Sequence, residues 1–224
     1  MSTRDELIAS LSNGLEAVRP PVNVDRLALV WLLLSAIYVV GVTHWFGPMR
    51  PNALTQLATE PRFLLETLGG AAAIALTAFA AFRALVPGVL GSRLVMVAGG
   101  LMAAWLGAYL LGLISPALEP SMLGKRPHCV WETFLFATPP AIVALFLARR
   151  LYPLQPLRSA AALGLASGML PALYMQLACM YMPDHILKFH IIPGLAVAGF
   201  AVLLAWVGRR AGFGIRGSDS RSGS

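Results

Sequence analysis

The sequence predicts an all-α polytopic membrane protein: six transmembrane helices, with a short amphipathic helix ahead of the first. Three observations carry that expectation. Of the 224 residues, 58% are hydrophobic and 12% charged, against about 45–50% and about 25% in an ordinary soluble domain. Six apolar runs approach the length of about 20 residues that crosses a bilayer. Arginine gathers at alternate ends of those runs, where topology signals sit.

The runs are 27–46, 63–85, 94–114, 128–148, 159–179 and 189–207. Arg26 precedes the first, and Gly47-Pro48 stop it. The second has Glu66 near its start and ends at Pro87-Gly88. Arg93 and Pro116 bound the third. Pro127 opens the fourth and Arg149-Arg150 close it, while Arg209-Arg210 close the sixth. Helices are the reading for all six, because lipid cannot satisfy an open backbone. Thr138-Pro139-Pro140 and Pro171 are expected to kink spans four and five. Small-residue pairs, Gly164 with Gly168 and Gly99 with Ala103, suggest close helix packing.

Six spans return the chain to its starting side. With the N-terminus inside, Arg4, Arg19, Arg26, Arg83, Arg93, Arg149, Arg150, Arg158, Arg209, Arg210, Arg216 and Arg221 are cytoplasmic. Only Arg50, Arg62, Lys125, Arg126 and Lys188 then lie outside. This bias fixes the expectation of cytoplasmic N- and C-termini. The net charge of +7 is spread over span ends rather than clustered, which argues against direct nucleic-acid binding. No cleavable signal peptide is expected, since the polar leader carries Asp5, Glu6, Glu16 and Asp25. The division is a cytoplasmic leader over 1–26, a membrane domain over 27–208 and a cytoplasmic tail over 209–224. The tail ends in GSDSRSGS and reads as disordered or as a vector-derived remnant.

In this topology every cysteine and histidine falls at the outer boundary. Cys129 opens span four and Cys179 ends span five. His44 ends span one, His128 precedes Cys129, His185 lies in the last outer loop and His190 begins span six. Adjacent antiparallel spans can bring the two cysteines together; a disulfide needs Cα atoms about 4.4–6.8 Å apart and an oxidising compartment. His128 and Glu132 are four apart and Cys129 and Glu132 three apart, so these side chains share a helix face. Thiolate, imidazole and carboxylate suit Zn²⁺ or Cd²⁺, and Met180 and Met182 would suit Cu(I). His128, Glu132, His185 and His190 are accessory metal-ligand candidates around the cysteine pair. The plainer alternatives are interfacial histidines and a hydrogen-bonded carboxylate. Neither C-x-x-C nor H-E-x-x-H occurs, which counts against a thioredoxin-like or zinc-hydrolase enzyme, and no catalytic residue is assigned. No span carries a charge near its middle, which counts against an ion-coupled transporter.

The leader reads STRDELIASLSNGLEAVRPP. Thr3 with Glu6 fits a capping box. Leu7, Ile8, Leu11, Leu15 and Val18 fall on one helical face, and Pro20-Pro21 end it. So short a helix is marginal alone in water. Three surfaces could hold it: the membrane, a reading its mixed-charge polar face weakens, the protein's own loops, or a groove of a partner.

Several stretches together resemble the NrsF-type membrane anti-sigma factors of proteobacteria. They are LIASLSNGLEAVRPP, LATEPRFLLETLGGAAAIALTAFAAFRALVPG, CVWETFLFATPPAIVALFLARR and ALYMQLAC. The resemblance spans about residues 4–210. It departs where Ala178 precedes the second cysteine, where Met180-Tyr181-Met182 follows it, and around His190-Ile191. It implies a six-span inner-membrane protein that holds an ECF-type sigma factor inactive through the leader. It further implies release on oxidative or heavy-metal stress, sensed outside at Cys129 and Cys179. No cofactor is required, with a transient heavy-metal ion at the cysteine pair as the exception. The bilayer and the sigma factor are the expected partners, and a small-molecule or metal permease is the alternative function.

Overall fold

A computed structural model of the chain describes residues 22–151 and 153–210, with Thr3, Arg4 and Glu6. The leader face formed by Leu7, Ile8, Leu11, Leu15 and Val18 lies outside the described residues. The described chain is helical: α1 (Val24–Phe46), α2 (Ala53–Thr59), α3 (Pro61–Arg83), α4 (Ser92–Gly112), α5 (Cys129–Leu151), α6 (Pro156–Ala178), α7 (Pro183–Ile186), a π-helical turn (Leu187–Ile191) and α8 (Ile192–Arg210). Six of these stretches are long and apolar enough to cross a bilayer, the last being Pro183–Arg210 taken together. The protein is a multi-pass membrane protein.

The six spans are where hydropathy placed them, but their ends differ. The first starts at Val24 because the Asn23 side chain accepts a hydrogen bond from the Arg26 amide, 3.0 Å away. A cap of this kind satisfies an end amide that hydropathy does not register. Proline stands in the first turn of α3, α6 and α7, where its missing N–H costs nothing. The short α2 sits in what reads from sequence as a loop. Asn52, in the left-handed conformation with φ of 60°, turns the chain into it. Helix α5 continues through Pro139 and Pro140, and α6 through Pro171. Across the bundle, the Trp31 indole N–H donates to the Pro140 carbonyl at 3.0 Å.

Helix α6 is the hub. It packs against α1, α3, α5 and α8, and 72% of its most apolar window is buried, against 22% for α4. Its small residues explain that position. A Cβ on Gly168 would lie 2.8 Å from the Gly194 carbonyl carbon, and one on Gly164 would lie 2.8 Å from the Ala198 Cα. Backbone therefore rests on backbone where α6 crosses α8, a closeness only glycine permits. The other small-residue pair does not pack: a Cβ on Gly99 would meet nothing within 4 Å among the described residues. Helix α4 instead buries Ala98, Met102, Trp105 and Tyr109, a stripe at helical spacing. Leu34, Ile37, Met96, Leu111, Ile142 and Leu204 face outward, as a lipid-facing surface requires.

The termini of the spans alternate between two ends of the bundle. At one end Asp25, starting α1, accepts two hydrogen bonds from Arg83, ending α3, at 2.7 and 2.8 Å. At the other lie the close of α1, the loop before α5, the close of α6 and the start of α7. Two backbone bonds join them: Arg50 N–H to Ala178 C=O at 3.1 Å and Ser121 N–H to Tyr181 C=O at 2.9 Å.

Substituting Gly168→Val forces a branched side chain into the α8 backbone. The expected cost is about 1–3 kcal/mol or more, read as a lower thermal unfolding midpoint in detergent. Gly99→Val, in open space, should leave that midpoint nearly unchanged; equal midpoints for the two variants would contradict this packing.

Candidate functional site

The stretch GKRPHCVWE, residues 124–132, builds one wall of the site. Gly124 adopts φ of +79°, and a Cβ there would lie 2.9 Å from the Arg50 backbone. Both facts call for glycine, and the turn they allow sends Arg126 inward. Its guanidinium is buried and donates three hydrogen bonds: to Glu132 Oε2 at 2.7 Å, to the Thr43 carbonyl at 3.1 Å and to the Pro48 carbonyl at 3.1 Å. Thr43 lies in the last turn of α1, where carbonyls lack helical partners. The Arg126 carbonyl in turn accepts from the Cys129 thiol at 3.3 Å.

The second wall comes from the end of α6. Cys179 leaves the helix with extended backbone, its amide still bonded to the Met175 carbonyl at 2.8 Å. Its sulfur lies 3.3 Å from that of Cys129 and 3.5 Å from His185 Nε2. Both cysteines are free and buried. They touch without being bonded.

The third wall is the π-helical turn, and a proline explains it. Pro193 has no N–H to give the Phe189 carbonyl one turn earlier. The chain relaxes into i→i+5 bonding over Leu187–Ile191, with the Ile192 amide bonded to the Leu187 carbonyl. The Thr133 hydroxyl lies 3.3 Å from the freed Phe189 carbonyl. In an α-helix His185 and His190 would point about 140° apart. The wider turn brings them together, with ring centroids 5.1 Å apart. His185 also stacks on Phe189, at 4.6 Å and 20°.

Cys129, Cys179, His185 and His190 thus converge, with one ligand atom from each lying within 4.8 Å of all the others. All four residues are buried. The other two accessory candidates are elsewhere. His128 is exposed, and Glu132 is held by Arg126. The carboxylate takes the nearer compensation, since a buried charge left unpaired is costly. His44 lies on the same end of the bundle and its ring bonds the Tyr174 hydroxyl at 3.0 Å. Thr133 belongs to no ligand pattern in the sequence; its place one helical turn after Cys129 is the signal that puts it at the site.

A second buried cation flanks the site. Arg50 bonds Gln56 and lies over the rings of Phe63 and Tyr181, at 5.7 and 5.9 Å. Burial lowers the pKa of its guanidinium from the ordinary value, against the opposing pull of Tyr181 and Cys179. Burial likewise raises that of the Tyr181 phenol. The phenol accepts from the Ala117 amide at 3.1 Å.

The description "negative regulator of sigma F" belongs to the family model, NrsF, that matches residues 11–211. The chain belongs to the NrsF family. It is therefore a negative regulator of a sigma factor, and a sigma factor is its partner. No curated protein and no solved structure matches the chain.

Arg126→Ala should strand the buried Glu132 carboxylate and cost about 3–5 kcal/mol. Replacing both, as Arg126→Met with Glu132→Leu, should cost less than the single change. Thermal unfolding in detergent compares them; a single variant as stable as wild type would show that the pair holds nothing.

Proposed function

We propose that this NrsF-family protein is an anti-sigma factor of the inner membrane, with both termini cytoplasmic, that sequesters an ECF-type sigma factor. The leader face of Leu7, Ile8, Leu11, Leu15 and Val18 docks into a groove of that partner. Cys129 and Cys179 are the sensing pair, and oxidation or a heavy-metal ion at their sulfurs triggers release. The observation that carries this reading is the 3.3 Å contact between two buried, unbonded sulfurs. They sit at the end of the bundle opposite the start of α1, the helix that follows the leader.

The chemistry is balanced. A peroxide oxidises one thiolate to a sulfenic acid, and the second thiol displaces water from it. One disulfide forms and, with hydrogen peroxide as oxidant, two waters leave. The pair supplies two electrons and two protons. Disulfide formation draws α5 and α6 together at that end, and the changed bundle withdraws or frees the leader. A switch of this kind needs differential stability of only a few kcal/mol between two states.

The permease reading lacks comparable support. Among the described residues, charged side chains stand at or within about a turn of the span ends. A cleft of about 260 Å³ between α1, α3 and α6 is lined by Leu32, Ala36, Ile74, Leu170 and Leu173, among others.

Co-expression with an ECF sigma factor tests the proposal. The sigma factor should co-purify with the membrane protein and be lost when residues 1–21 are deleted. Peroxide should release it from wild type at least tenfold more than from the Cys129→Ser/Cys179→Ser variant. Retention without the leader, or equal release from both forms, would sink the corresponding half of the reading.

A further inference from the structure

We propose that Cys129, Cys179, His185 and His190 form a tetrahedral site for a resident divalent ion of the zinc class. The inference rests on the sensor reading of the same residues and extends it. The resting state of the sensor is a metal-bound dithiolate rather than a free thiol pair.

Four observations carry it. The first is the donor set, since two sulfurs and two imidazole nitrogens are a common zinc complement. The second is size. Zinc bonds of about 2.0–2.3 Å place tetrahedral ligand atoms about 3.3–3.8 Å apart. The sulfurs here are 3.3 Å apart, Cys179 Sγ and His185 Nε2 are 3.5 Å apart, and the widest separation in the set is within 4.8 Å.

The third observation is an orphan. His190 has no exposed surface, and among the described residues its Nε2 has no partner in hydrogen-bond geometry, the Cys179 sulfur being the group beside it. A buried ring nitrogen left bare forfeits a full interaction. The other ring nitrogen says which atom is free. Thr133 Oγ1 lies 2.9 Å from the Cys129 carbonyl and 3.2 Å from His190 Nδ1. The hydroxyl has one proton, and its shorter contact takes it. The ring then donates Nδ1–H to the hydroxyl oxygen, leaving Nε2 as a lone pair. Metal-bound histidines are held in this way, with the second nitrogen hydrogen-bonded to fix the tautomer.

The fourth is charge. Two thiolates sealed from water are unfavourable alone, whereas two thiolates with a divalent cation are neutral. The nearby carboxylate that would upset this balance is already neutralised by Arg126.

The ion also unites the two proposed stimuli. Peroxide converts the two bound thiolates to a disulfide, taking two electrons from them; with two protons it yields two waters, and the ion leaves. A softer cation such as Cd²⁺ exchanges for the resident one, since thiolate ligands favour it. Either event alters the same four-point junction of α5, α6 and the π-helical turn.

The test uses the full-length protein purified in detergent without chelator. Elemental analysis should find about one zinc per chain. Replacement by Co²⁺ should give the intense visible bands of a tetrahedral ion and a thiolate-to-cobalt charge-transfer band. His190→Ala and Cys179→Ser should lose both, while His128→Ala should keep both. Thr133→Val retains all four ligands but loses the Nδ1–H acceptor. Chelator competition should show it binding zinc about 10–100-fold more weakly. Size-exclusion profiles identify variants that fail to fold, and for these the wild-type cobalt spectrum still decides. A metal-free wild type that takes up no zinc, an octahedral cobalt spectrum, or full occupancy in a folded His190→Ala protein would overturn the site. Cysteine-dependent peroxide release from a protein that binds no metal would overturn the ion and leave the sensor intact. A tetrahedral ion in a protein whose partner release ignores both cysteines would do the reverse.

Discussion

One of two buried cations, Arg126, ties together the end of the bundle where the site lies. An arginine in a low-dielectric setting is costly unless its charge is paired and its donors are matched. Arg126 has Glu132 for the charge and two main-chain carbonyls for further donors. One carbonyl belongs to the last turn of α1, whose dipole favours a cation there. The other belongs to the loop that follows. Two regions distant in sequence, the close of α1 with its following loop and the start of α5, are therefore tied by one side chain, and its own carbonyl lies 3.3 Å from the Cys129 sulfur. Without this knot the start of α5 would lose these hydrogen bonds to the close of α1 and its loop.

The other half of the site depends on how closely α6 and α8 approach. Gly168 and Gly194 let the two backbones touch, so the end of α6 lies against the start of the final span. Even so, an ordinary α-helix would direct His185 and His190 to different faces. The missing amide of Pro193 loosens the turn, and Thr133 on α5 meets both the released carbonyl and the His190 ring. A helix defect and a hydroxyl one turn after a cysteine thus share one purpose. They hold an imidazole in one orientation beside two sulfurs.

This explains what was legible in the sequence. The six spans were, because twenty apolar residues in a row have few other uses. The gathering of cysteine and histidine at one end followed from counting spans. The span ends were not, because Asn23 and the prolines act through single hydrogen bonds that hydropathy averages away. Nor was α2, whose seven residues carry no long periodic pattern. Within the site, helical spacing suggests one face for His128, Cys129 and Glu132, but the helix begins only at Cys129 and His128 lies exposed outside it. It did not reveal that Arg126, across Pro127 and outside the helix, claims the carboxylate. The spacing of five between the histidines resembles no ligand pattern of an α-helix. Only the proline three residues after the second one hints that the turn is wider there.

The same geometry bears on how an event at the sulfurs would reach the leader. The distance is about 35 Å, the length of the 23-residue α1. In the proposed switch α1 is the element continuous with the leader, and its two ends are held very differently. At the site end, Arg126 grips it through a buried, charge-paired knot. At the other, Asp25 and Arg83 pair with 44% and 36% of their side-chain surface exposed, an arrangement that solvent screens and that contributes little. A displacement of α5 that moves Glu132 must carry Arg126 with it or break a buried pair, and breaking is the costlier course. The motion therefore passes to the end of α1 more readily than it dissipates in the loop. At the far end the ion pair is a weak surface one, and Ala28 and Trp31 are held by packing in the core. The charged ties of α1 are thus unequal, buried beside the cysteines and exposed beside Val24, which is the asymmetry the proposed switch would use.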